Sequence, residues 1–114
     1  MTHPYRTNRD LAIEVPDLAA AEAFYGGVLG YAAFERGDGW IGFETGSFCL
    51  YVNLTRDKTL SFVPSLDVPD AAAAWAQLAA AGCTLERGDP KLGGFWFRDP
   101  FGFVVDVVER KTGR

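Results

Sequence analysis

The tripeptide Val-Pro-Asp occurs twice, each time opening an alanine-rich run, and this repetition restricts the fold more than any other feature of the chain. Val15-Pro16-Asp17 begins VPDLAAAEAF, and Val68-Pro69-Asp70 begins VPDAAAAWAQL. An identical tetrapeptide follows each run, Glu35-Arg36-Gly37-Asp38 in the first copy and Glu86-Arg87-Gly88-Asp89 in the second. Two matches in one order at nearly constant spacing imply two copies of a unit of about fifty residues, too few for a solenoid, which needs three or more. Paired modules sharing a sheet are expected instead.

Each copy reads strand, helix, three strands. From Asp10 to Val15 the residues alternate, Leu11, Ile13 and Val15 against Asp10, Ala12 and Glu14, as in a half-buried strand. Pro16 ends it and Asp17 caps a helix over Leu18 to Leu29, which carries Leu18, Ala21, Tyr25, Val28 and Leu29 near helical spacing and closes at Gly30. Gly26-Gly27 loosens its last turn. Tyr31 to Glu35, Trp40 to Glu44 and Phe48 to Leu54 read as strands separated by Gly37-Asp38-Gly39 and Thr45-Gly46. After a charged joint, Arg56-Asp57-Lys58, the pattern restarts with Leu60 to Val68, where Pro64 lacks a donor and demands an edge position or a bulge. Asp70 caps a helix through Ala81 that buries Ala71, Ala74, Trp75 and Leu78 and ends at Gly82. Cys83 to Arg87, Gly94 to Arg98 and Phe103 to Arg110 complete the strands, Asp99-Pro100-Phe101-Gly102 makes the final turn, and Lys111 to Arg114 is a tail.

With 114 residues the chain suits one domain, 1–114, with module one over about 9–55 and module two over about 59–110. No apolar run approaches the roughly 20 residues of a membrane span, so no membrane partner is expected. Met1 to Arg9 lacks the apolar core of a signal peptide, so a cytoplasmic location is expected, with Cys49 and Cys83 as reduced thiols. The net charge of −4 and the scattered basic residues leave no field for phosphate backbones, which argues against nucleic acid.

The duplicated unit, with Phe24-Tyr25 followed by Leu29-Gly30 in the first copy and Phe97-Arg98-Asp99-Pro100-Phe101-Gly102-Phe103-Val104-Val105-Asp106 in the second, resembles the glyoxalase, bleomycin-resistance and extradiol-dioxygenase (vicinal oxygen chelate) superfamily. The resemblance implies an α+β fold of two βαβββ modules whose curved mixed sheets form a cup, paired in a homodimer. In metal-dependent members the ligands lie on the first and last strands of each module. Registered on that pattern, the four positions hold Asp10, Tyr51, Val63 and Asp106. A divalent ion needs several nitrogen or oxygen donors at about 2.0–2.3 Å. Valine donates nothing, a phenol is protonated near neutrality, and the only histidine, His3, lies outside the modules. Neither a metal nor another cofactor is expected, which points to the metal-free, bleomycin-resistance-type members.

Period-2 parity gives the cup lining independently of the resemblance: Asp10, Ala12 and Glu14; Cys49, Tyr51 and Asn53; Val63, Ser65 and Asp67; Val104, Asp106 and Val108. By that count no lysine or arginine lies there. Trp40 and Trp96 sit in strands whose parity the sequence leaves open, either in the pocket or in the core. Asp10, Trp40, Cys49, Tyr51, Asn53, Val63, Ser65, Trp96 and Asp106 are therefore the candidate ligand-binding residues, for a small aromatic or cationic organic molecule. Cys49 is expected to be inert, since nothing basic is placed to stabilise its thiolate. Gly93-Gly94 reads as a loop or bulge. The leading expectation is sequestration of an antibiotic or toxic metabolite without a metal. The alternative is a lyase, isomerase or dioxygenase-like enzyme of the same superfamily, using Asp10 or Asp106 as general base or a weakly held divalent ion.

Overall fold

The computed structural model describes residues 5–56 and 61–110; His3, Asp57, Lys58, Leu60 and the tail from Lys111 lie outside them. The element order is β1 (Arg6–Val15), α1 (Leu18–Glu22), a π-helical turn (Ala23–Val28), β2 (Ala32–Gly37), β3 (Trp40–Glu44), β4 (Cys49–Leu54), β5 (Phe62–Val68), α2 (Ala71–Ala80), β6 (Thr84–Asp89), a 3-10 turn (Pro90–Leu92), β7 (Gly94–Arg98) and β8 (Val104–Glu109). This is the expected α+β arrangement of two βαβββ modules.

The chain divides into two compact units, Arg9–Val63 and the stretch from Pro64 onward, the latter joined by the residues up to Asn8. In the first unit, antiparallel β2, β3 and β4 are followed by β1, which runs parallel to β4 from Asp10↔Cys49 to Val15↔Leu54. The helix face of this sheet buries Ile41, Phe43, Leu50 and Val52 with Ala21 of α1, and Ile13, Val15, Leu18, Tyr25, Tyr31 and Phe48 pack around them. The second unit repeats the plan, with β6, β7 and β8 antiparallel and β5 parallel to β8 from Ser65↔Asp106 to Val68↔Glu109. Pairing starts one residue after Pro64, so its missing N–H costs no rung of that ladder. Val68, Ala71, Ala74, Phe95, Phe97 and Val107 form the core, with Trp75 and Leu78 against it. Trp75 is a core residue.

The two Val-Pro-Asp aspartates do the same job. Asp17 accepts from the Ala20 N–H and Asp70 from the Ala73 N–H, each at 3.0 Å, the side-chain cap that starts each helix. The first helix departs from expectation after Glu22. It widens into a π turn, with the Leu29 N–H donating to the Phe24 carbonyl, and the longer repeat swings Val28 and Leu29 off the buried stripe. Val28 is 72% exposed. Gly26-Gly27 does more than fray the end, because two residues without side chains lower the cost of the altered winding. Strand β1 starts at Arg6 rather than Asp10. Arg6 to Arg9 shows no apolar alternation, and Asn8 belongs there through its amide, which donates to Ser65 Oγ at 2.9 Å and Asp67 Oδ1 at 2.8 Å.

The repeated tetrapeptides prove to be out of register. Both β2 and β6 carry a bulge, between Ala33 and Glu35 and between Leu85 and Arg87. Within those matching frames Glu35 faces Gly42 where Arg87 faces Trp96, and Arg36 faces Ile41 where Gly88 faces Phe95. One residue of slip moves a side chain to the other face. Arg36 therefore turns to the helix side and pairs with Glu22 at 2.8 Å, while Arg87 lies on the opposite side, its guanidinium 4.1 Å from the centre of the Trp96 ring.

Candidate functional site

Each module has a face turned away from its helix, called here the far face, and register assigns residues to it. In module one, Trp40 pairs with Asn53, Gly42 with Tyr51, and Glu44 with Cys49, while Asp10 neighbours Cys49. Directly opposed residues share a face. Asp10, Trp40, Cys49, Tyr51 and Asn53 thus come together, and the open parity of Trp40 is resolved: it belongs to the far face. Tyr51 is the centre of this group. Its ring lies 6.0 Å from Phe34 and 5.9 Å from Trp40, and its hydroxyl donates to Glu35 at 3.4 Å. Burial, and then the nearby Asp10 and Glu35 carboxylates, push its pKa up to about 12. The phenol is neutral at any physiological pH.

Sequence parity missed Phe34. A strict alternation cannot place both Phe34 and Glu35 on one side, but the bulge does, since the extra residue breaks the period locally. The residue signal available was Gly42, directly beneath. A Cβ there would sit 3.0 Å from Tyr51 Cε1 and 3.2 Å from Phe34 Cε1, so bare backbone is what admits the two rings. Arg9 also enters this face, donating to Glu44 at 2.7 Å and standing 3.6 Å from Cys49 Sγ. A basic group is therefore beside Cys49 after all, yet burial outweighs it and raises the thiol pKa. The thiol stays protonated, for a different reason from the one expected.

In module two, Trp96 pairs with Asp106 and Ser65 with Asp106, which puts Trp96 on the far face too. Ser65 Oγ donates to Asp106 Oδ2 at 2.7 Å, and Asp67, 5% exposed, accepts from Asn8 and meets Arg110 Nε at 3.4 Å. Glu86 pairs with Arg98 at 3.2 Å. The expectation of a face without basic residues fails here: Arg87 covers Trp96, and Arg98 and Arg110 bind carboxylates. Two causes escape a residue count. The bulge at Arg87 reverses parity, and Arg110 follows the end of β8.

A sequence profile of the glyoxalase-like domain matches residues 10–108. The chain belongs to this family. The glyoxalase-like domain superposes on an extradiol ring-cleaving dioxygenase from B. fuscum with a TM-score of 0.70 at 22% identity, over 94% of this chain and 33% of that one. Homoprotocatechuate 2,3-dioxygenase from Brevibacterium fuscum, complexed with 3,4-dihydroxyphenylacetate, gives 0.70 and 22% over 95% and 37%. The Arthrobacter globiformis enzyme gives 0.69 and 24% over 93% and 36%. At these identities the likeness is one of fold, and this chain spans only about a third of each enzyme's length. No curated protein matches the sequence significantly.

The positions that the superfamily pattern gives to metal ligands hold a set that does not fit a divalent ion. Val63 is hydrocarbon and fully buried. Tyr51 keeps its proton, and Asp106 already accepts from Ser65. Among the described residues no three His, Cys, Asp or Glu side chains converge to hold an ion.

Proposed function

We propose that this glyoxalase-like domain captures small aromatic organic molecules on its far faces without a resident metal, and acts by sequestering them. The single observation that carries this reading is the donor set. A wholly buried valine and a neutral tyrosine stand at two of the four ligand positions, leaving Asp10 and Asp106 as the only anionic donors among them. Aromatic side chains at Phe34, Trp40, Tyr51 and Trp96 supply stacking surface instead. The dihydroxyphenylacetate carried by a structural neighbour is consistent with an aromatic ligand. An antibiotic or toxic metabolite in the cytoplasm, captured by a homodimer, is the setting we assign to it, since binding alone lowers the free concentration of such a compound.

Native mass spectrometry of freshly purified protein tests the proposal. A dimer carrying a co-purified or added aromatic compound at up to one per site, unchanged in mass on prolonged incubation, is the expected result. Conversion of the bound compound to product would instead favour the enzymatic alternative.

A further inference from the structure

The middle residue of β3 is Gly42, and the middle residue of β7, at the equivalent place in module two, is Trp96. Glu35 and Tyr51 face Gly42 across the ladder as Arg87 and Asp106 face Trp96. The fold therefore accepts a large side chain at this place. Gly42 has no positive φ, so its backbone conformation does not require glycine, and a glycine inside a strand gives up β propensity and packing. What it supplies is room. A Cβ at position 42 would stand 3.0 Å from Tyr51 Cε1 and 3.2 Å from both Phe34 Cε1 and Phe34 Cζ, closer than the roughly 3.5 Å at which carbon atoms pack best.

The same place is thus filled differently in the two modules. In module two the tryptophan occupies it, and the Arg87 guanidinium 4.1 Å from the ring centre covers that ring on one side. In module one two rings lean into it from β2 and β4. Phe34 and Trp40 lie 6.0 and 5.9 Å from Tyr51, Phe34 stays 48% exposed, and among the described residues no cation lies over any of the three. We propose that Gly42 is the specificity-determining residue of the binding site: by leaving its place to the Phe34 and Tyr51 rings, it makes module one's far face, rather than module two's, the surface that receives the ligand's aromatic ring. Rings set at an angle to one another offer an incoming ring edge-to-face and offset contacts together. None of these contacts depends on charge. This inference rests on the binding reading above and names the face, and the residue on it, that selects an aromatic ligand.

Isothermal titration calorimetry of the full chain with benzyl alcohol and its saturated counterpart, cyclohexylmethanol, tests the assignment. Both are uncharged, so the difference between them reads the aromatic contact. The unaltered chain is expected to bind benzyl alcohol at least about threefold more tightly. Gly42→Val puts a branched side chain where the Phe34 and Tyr51 rings lie and turns the exposed Phe34 out of its seat. It should weaken benzyl alcohol about two- to tenfold, the worth of one aromatic pair, and leave cyclohexylmethanol unchanged, a split that general loss of structure would not produce. In a Phe34→Ala background the same substitution should cost less, since the ring it displaces is gone. Trp96→Leu should leave the preference intact. Should Gly42→Val fail to fold, Phe34→Ala alone decides, because that side chain is exposed, and it should bring the two affinities together. If the unaltered chain binds both alcohols equally, if Gly42→Val or Phe34→Ala keeps the full preference, or if Trp96→Leu removes it, the assignment to Gly42 and module one is wrong while the binding reading stands. If neither alcohol binds, both fall.

Discussion

Gly37 and Gly88 occupy the same place in the two copies of Glu-Arg-Gly-Asp, so the sequence repeat taken alone predicts equal sensitivity to Gly→Ala. The structure predicts unequal sensitivity. Gly88 has φ +87°, and an added Cβ would lie 2.7 Å from the Gly94 carbonyl oxygen and 2.8 Å from Phe95 Cα, backbone atoms of the paired strand. The left-handed conformation costs an alanine about 1–2 kcal/mol, and forcing a methyl against immovable backbone adds about 1–3 kcal/mol. Gly88→Ala should therefore destabilise by about 2–5 kcal/mol, a large share of the roughly 5–15 kcal/mol a domain commands. Gly37 lacks the positive φ, and the atoms nearest its new methyl all belong to the Trp40 side chain rather than to backbone. The indole can leave its seat at about the strain of an off-rotamer torsion, so Gly37→Ala should cost about 1 kcal/mol. Urea denaturation followed by circular dichroism, compared at equal m-values, measures both. Equal losses, or a larger loss for Gly37→Ala, would refute the one-residue slip between the tetrapeptides.

Tyr51 and the helix caps give two further tests. The folded-state pKa of Tyr51 lies near 12, above its ordinary value of 10.0, so the folded chain holds that proton more tightly than the unfolded chain does. Its contribution to stability is complete below pH 10 and declines as pH rises toward 12; Tyr51→Phe should flatten that decline in denaturation curves measured between those limits. Asp70→Ala removes the acceptor for the Ala73 N–H and should cost about 1 kcal/mol in the same assay, with Asp70→Asn restoring most of it.

Much of the fold could be read from local chemistry. The Val-Pro-Asp caps, the glycine stops at Gly30 and Gly82, with φ +78° and +99°, and the alternation in β1 and β8 each act within a few residues, so the sequence displays them directly. What the sequence concealed was non-local or irregular. Trp40 and Trp96 needed their partners Asn53 and Asp106 before a face could be assigned. Phe34 and Arg87 sit at bulges, where the period of two fails, so one aromatic ring and one guanidinium of the candidate site went uncounted. Arg9 lies in a stretch of β1 with no apolar rhythm and reaches Glu44 by the length of its side chain. The identical tetrapeptides signalled duplication correctly and register incorrectly, because a bulge lets similar sequence settle one residue apart.

Metal-free binding is tested most directly by elemental analysis of protein purified without chelators, then equilibrated with Zn, Ni, Mn or Fe and desalted. The donor set of Asp10, Tyr51, Val63 and Asp106 predicts metal far below one ion per chain, with aromatic ligand binding unchanged by EDTA. One tightly held ion per chain, lost on Asp106→Ala, would contradict it.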